Sequence, residues 1–167
     1  IGQRRPWMNA KNIQTLMVLY LLSNLLLLLN INGIYWDDWV LYNQPFDELK
    51  DMMNQLTGNA HVFEYIHRAL SLIGNGVFVY RLATVVLYFL SGLFLYFILL
   101  SIPSISRRSI FYITLLFLIL PVNSARIALC DFQYGLFLCT FFMAFWLLTH
   151  YMNGPRNLFF RAIIWAL

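Results

Sequence analysis

Residues 77–102 form one apolar run with a single charged residue in it, Arg81. About 20 apolar residues in a helix cross the ~30 Å hydrocarbon core of a bilayer, and this run is long enough to do so with tilt. Composition points the same way. Of the 167 residues, 61% are hydrophobic and only 11% are charged, with a mean hydropathy of +0.70. Those values exclude a soluble globule. Gly (8) and Pro (5) are too sparse, and aromatics at 18% too common, for a disordered or collagen-like chain, and two Cys make no disulfide framework. The expectation is an all-α integral membrane protein: a multi-pass helical bundle forming a single transmembrane region over 1–167, with room for one site.

Four further segments complete the expected set of spans. The first is 13–31, Leu-rich and interrupted only by Thr15, Ser23, Asn24 and Asn30. A third covers 110–130, either as a helix kinked at Pro121 or as a short one ending there. A fourth covers 134–151, and Asn153-Gly154-Pro155 then turns the chain into a fifth from 158 onward. The sequence opens on Ile1 and stops within an apolar run, and it reads as a piece of a longer protein. Nothing near the start has the small-residue cleavage pattern of a secretory signal, so the first span is expected to be retained.

Orientation follows from the basic residues. A cytoplasmic N-terminus puts Arg4, Arg5, Lys11, Arg107, Arg108, Arg156 and Arg161 inside, seven of the 11, as the positive-inside rule prefers. All seven acidic residues, Asp37, Asp38, Asp47, Glu48, Asp51, Glu64 and Asp131, then fall on the outer side. The basic residues sit at helix ends and form no patch, so the net charge of +4 reflects topology and not nucleic-acid binding.

The outer loop, 32–76, holds most of the polar residues. It begins with Tyr35-Trp36-Asp37-Asp38-Trp39. Aromatics gather at membrane interfaces without further reason, but adjacent carboxylates repel each other. Such a pair either makes one carboxylate a better base or recruits a cation or a basic substrate group. The plainer alternative is that one Asp caps a following helix. Next, Phe46, Leu49, Met52, Met53 and Leu56 recur at helical spacing between Asp47, Glu48, Lys50 and Asp51, which predicts an amphipathic helix on the membrane surface with a solvated acidic face.

After Thr57-Gly58-Asn59 a second such helix starts at His61. Val62, Ile66, Ala69, Leu70 and Ile73 make its apolar stripe, and Glu64, His67, Arg68 and Ser71 share the other face. Glu64 and Arg68 are spaced for an ordinary ion pair or for substrate contact. His61 and His67 lack the partner spacing of a zinc motif. In the second loop Arg126 and Asp131 lie close together at membrane depth, where ionisable residues pair with each other or mark a site. Cys130 and Cys139 read as packed small residues. These 167 residues contain no Walker pattern, HExxH or GxSxG, which leaves out ATP-driven pumps and membrane proteases.

An N-in first helix, an acidic motif directly beyond it, juxtamembrane amphipathic helices in the first outer loop, and an acid between the third and fourth helices make a layout that resembles the GT-C glycosyltransferases. The resemblance covers residues 13 to about 151 and rests most on Asp37-Asp38. It implies a membrane enzyme that moves a sugar from a polyprenyl-phosphate donor to a glycan or lipid acceptor outside the cytoplasm, in a bacterial inner (plasma) membrane. The family's first-loop acid falls on Asp37 or Asp38 and its second-loop acid on Asp131. Arg126, Arg81 or Arg68 would supply positive charge to the phosphate, with Glu64 and His67 beside the substrate. A divalent Mg or Mn ion held by Asp38 and Asp131 is the alternative source of that charge. The prolines that flank a first-loop His in the family are missing around His61. A secondary transporter or flippase of lipid-linked saccharide, or a non-catalytic membrane assembly subunit, are the other two classes that the sequence allows.

Overall fold

The computed structural model describes residues 10–30, 33, 47–48, 50–51, 55, 61–73, 76–120 and 132–153. Among the described residues the chain is 90% helix and has no strand. Its helices are α1 (Ala10–Ser23), α2 (Leu25–Leu29), α3 (His61–Ile73), α4 (Gly76–Leu100), α5 (Arg107–Ile119) and α6 (Phe132–Asn153). Two stretches, Val77–Leu100 and Phe132–Tyr151, are long and apolar enough to cross a membrane, with mean hydropathies of 2.3 and 1.5. At 1.5 Å per residue, α4 and α6 reach roughly 37 and 33 Å, and α5 reaches about 20 Å, short of a full crossing.

The first expected span is not one helix. It breaks at Asn24, and the reason is local. The carbonyl of Tyr20 accepts from the Asn24 backbone N–H (3.1 Å), the Asn24 side-chain amide (2.8 Å) and the Ser23 hydroxyl (2.8 Å). Side chains that bond to the preceding turn compete with the helical ladder, and here two of them crowd one acceptor. The Asn24 N–H is shared with the Leu21 carbonyl at 3.2 Å, the tighter bonding of a terminal turn.

α4 ends where Ser101 N–H and Ile102 N–H turn back to Ile98 and Leu99, and the Ser101 hydroxyl donates to Ile98 as well. Ser106 then caps α5, its hydroxyl accepting from Ser109 N–H at 3.1 Å. Arg107 and Arg108 occupy the first turn of α5, the end at which positive charge opposes the helix dipole. Helix stability does not explain them. The third span closes at Ile119, with Leu120 extended (ψ 132°), because the residue before a proline is pushed out of the helical region. Residues 121–131, over which the sequence allowed a kinked extension, lie outside the described residues.

The chain divides into two compact units. The first comprises Ile1–Leu25, Tyr88–Pro121 and Phe137–Leu167. Within it α1 packs on α5, and Tyr20 stacks on Phe89 of α4 with centroids 5.6 Å apart. Trp146 of α6 meets Phe94 and Phe97 of α4, and Phe117 of α5 meets Phe142 edge-on. Gly92 permits a close approach: a Cβ there would lie 2.5 Å from Leu118 Cδ2 and 2.8 Å from its Cγ. Beside it, Ser91 shares a hydrogen bond with Cys139, and both are buried. Small residues at such seams let helices pack closely where apolar surroundings give no hydrophobic drive to associate.

The second unit comprises Leu26–Leu87 and Val122–Leu136. Its described core is Val77, Val79, Tyr80, Arg81, Thr84 and Val85 of α4 with Phe132 at the start of α6. The expected amphipathic helix after Pro45 is supported at the positions described: Asp47, Glu48, Lys50, Asp51 and Gln55 are helical, and the three acids are exposed. α3 begins at His61 as the spacing predicts. Of its apolar stripe, Ile66 and Leu70 are half-buried while Ala69 and Ile73 are exposed, and Tyr65 and Leu72 are exposed beside them.

Candidate functional site

The candidate site residues divide into three groups. Asp37, Asp38, Arg126 and Asp131 lie outside the described residues, as do Cys130 and any metal arrangement built on Asp38 and Asp131. Glu64, His67 and Arg68 are carried on α3, where Arg68 is exposed. Arg81 lies in the second turn of α4 and is 1% exposed, among the most deeply buried large side chains described.

A guanidinium is charged at any biological pH, so burying it demands donors' partners of good geometry. One of these is known: Arg81 Nη2 donates to the backbone carbonyl of Gly33. Gly33 is itself tied to the end of the first span, its N–H donating to Asn30 O at 3.3 Å, while Asn30 N–H donates to Leu26 O at 3.1 Å. The neighbouring Tyr80, also buried, meets Phe132 edge-on with centroids 5.2 Å apart and planes at 65°. Thr84, one turn on, returns its hydroxyl to Tyr80 O at 2.9 Å.

These contacts bring the flanks of both loops to one turn of α4.

Sequence reasoning listed Arg81 as one of three interchangeable cations. Among the described residues the packing sets it apart from Arg68, which is exposed. The sequence does not single out Gly33, since nothing in a glycine's identity announces that its carbonyl will hold an arginine. Among the described residues no three His, Cys, Asp or Glu side chains gather in the manner of metal ligands. A shallow hollow lined by Lys11, Gln14, Thr15, Val18 and Leu19 lies along α1 alone and has no facing wall. No protein-family model, no curated protein and no solved structure matches the chain.

Proposed function

We propose that the chain is the membrane portion of a glycosyltransferase of the GT-C type, which transfers a sugar from a polyprenyl-phosphate donor to a hydroxyl-bearing glycan or lipid acceptor. One observation supports the reading: a single turn of α4 bonds Gly33 through Arg81 and packs Phe132 against Tyr80, so described residues that flank the two loops lie on one turn that carries a buried cation. A purely structural subunit gives no reason to keep a cation there, since buried charge is costly.

In this reading the protein is a multi-pass bundle and the bilayer is its solvent. In the two long apolar stretches only 33% and 22% of the most apolar window is buried inside the protein, whereas the core helix of a soluble domain would be mostly covered. Exposed Phe137, Phe141, Phe145 and Leu148 on α6, and Phe78, Leu82, Val86 and Leu90 on α4, suit contact with lipid.

The chemistry is proton removal with displacement at the anomeric carbon. A carboxylate of the Asp37-Asp38 pair takes the proton from the acceptor hydroxyl, whose oxygen bonds to the anomeric carbon as the bond to the phosphate oxygen breaks. The phosphate leaves with the electron pair, and nearby positive charge stabilises the negative charge that develops there. Asp131 contributes to holding the donor. The test is sugar transfer by the full-length protein in vitro from a polyprenyl-phosphate sugar to membrane extracts. Loss of a positioned base costs about 10²- to 10⁴-fold in rate, so Asp37→Asn or Asp38→Asn should remove most transfer while leaving expression and insertion intact. Wild-type transfer by both variants would reduce the pair to a helix cap and end the proposal.

A further inference from the structure

We propose that α3 lies in the surface of the bilayer and turns a face made by Tyr65, Ala69, Leu72 and Ile73 into lipid, at the boundary between headgroups and acyl chains. The inference rests on the membrane reading above and goes beyond it, because it assigns a lipid contact to a helix that does not cross.

The four residues share one arc of the helix. At 3.6 residues per turn, positions 65, 69, 72 and 73 fall within about 100° of each other, the width of the apolar stripe that an amphipathic helix buries. In α3 that stripe is open: Tyr65 is 65% exposed, Leu72 79% and Ile73 72%, and Ala69 is exposed between them. Ile66 and Leu70, on the adjoining arc, are half-buried. The stripe read from the sequence, Val62, Ile66, Ala69, Leu70 and Ile73, is thus divided at its described positions. Ile66 and Leu70 turn toward the protein, whereas Ala69 and Ile73 turn outward and join Tyr65 and Leu72. Single exposed apolar side chains need no explanation, but four on one arc of a 13-residue helix do.

Position in the chain says what covers them. α3 ends at Ile73 and α4 begins at Gly76, and the apolar stretch of α4 opens at once with Val77. A helix that stops three residues before a span stands at the edge of the hydrocarbon, and Leu72 and Ile73 occupy that end of α3. Outward-facing apolar residues continue on α4 with Phe78, Leu82 and Val86, at i, i+4 and i+8. Tyrosine suits the same depth, with its ring in the apolar region and its hydroxyl among headgroups. Arg68, also exposed, borders the arc on the Leu72 side, where an arginine stem can lie along apolar surface while its head stays in water.

The experiment reads depth in the bilayer and needs no substrate. The full-length protein, with its native cysteines replaced by alanine, carries a single nitroxide label at Leu72→Cys, Glu48→Cys or Leu82→Cys in phosphatidylcholine vesicles. Collisions with oxygen, which concentrates in lipid, are compared with collisions with a water-soluble nickel chelate. Glu48, exposed on the acidic helical segment, is the reference for water, and Leu82 on α4 is the reference for lipid. The expected result is that Leu72→Cys favours oxygen and sits about 5–10 Å into the headgroup and acyl boundary, the seat of an interfacial helix. A label at Leu72→Cys as open to nickel as that at Glu48→Cys overturns the inference. So does one shielded from both reagents, which would mean that protein covers the face. In either case oxygen-favoured collisions at Leu82→Cys leave the membrane reading standing, and α3 alone is reassigned. Nickel-favoured collisions at Leu82→Cys end the membrane reading and this inference with it. If Leu72→Cys fails to insert, Ile73→Cys is read in its place.

Discussion

Asp131 and Asp47 are both loop aspartates, and what distinguishes them is their neighbours. Asp47 is exposed on a helical segment with Glu48 and Asp51, a solvated face on which an amide costs nothing. Asp131 immediately precedes Phe132, which is 1% exposed against Tyr80, and it belongs to the loop that the proposed function assigns to the donor. Asp131→Asn should lower donor binding or transfer by roughly tenfold or more, the scale of about 1.4 kcal/mol or above for a charge-assisted contact. Asp47→Asn should stay within about twofold in the same transfer assay. Equal losses would place the site elsewhere. At this scale the sequence showed Arg81 as the one charge in an apolar run but not its burial. It was silent about Gly33, because the acceptor is a backbone carbonyl that every residue possesses.

Among the elements, the extents of α4 and α6 were readable because a long apolar run in a helix has few other solutions. Expected bounds of 77–102 and 134–151 compare with Gly76–Leu100 and Phe132–Asn153. The break at Asn24 was harder to foresee. Ser23 and Asn24 are visible as polar interruptions, but whether their side chains turn to solvent or back to the Tyr20 carbonyl depends on packing, and Asn24 is 3% exposed. The seam at Gly92 was equally hidden, since a glycine's partner is set by which helix lies across from it. That seam yields a stability test. Leu118 is 2% exposed and has little room to yield to a new methyl group, so Gly92→Ala should cost about 1–3 kcal/mol by overpacking. The measurement is thermal unfolding of the detergent-solubilised protein, with Leu90→Ala on the 36% exposed face expected to change stability by less than about 0.5 kcal/mol. A Gly92→Ala protein as stable as wild type would mean that α4 and α5 do not meet there.

For the molecule as a whole, the question with the widest consequences is which way the loops face. Arg107 and Arg108 stand in the first turn of α5 against the helix dipole, with Arg108 over the ring of Tyr112 at 5.9 Å. In the orientation proposed from the basic residues they mark a cytoplasmic connection. Single cysteines at Asn43 and Ser106, each in a background without Cys130 and Cys139, should therefore label oppositely with an impermeant thiol reagent, Asn43→Cys from outside and Ser106→Cys only after permeabilisation. Labelling of Ser106→Cys alone from outside would invert the arrangement.

The bond from Arg81 to Gly33 also bears on how such a chain is made. An arginine near the middle of a membrane helix costs about 2.5–3.5 kcal/mol to insert, and less toward the ends. One acceptor that offsets part of this cost lies 48 residues upstream, so by the time Arg81 emerges from a ribosome, Gly33 has already been synthesised. In the membrane reading proposed above, release of residues 77–100 into a bilayer therefore finds one partner of the guanidinium already made, which spares Arg81 a period alone in lipid.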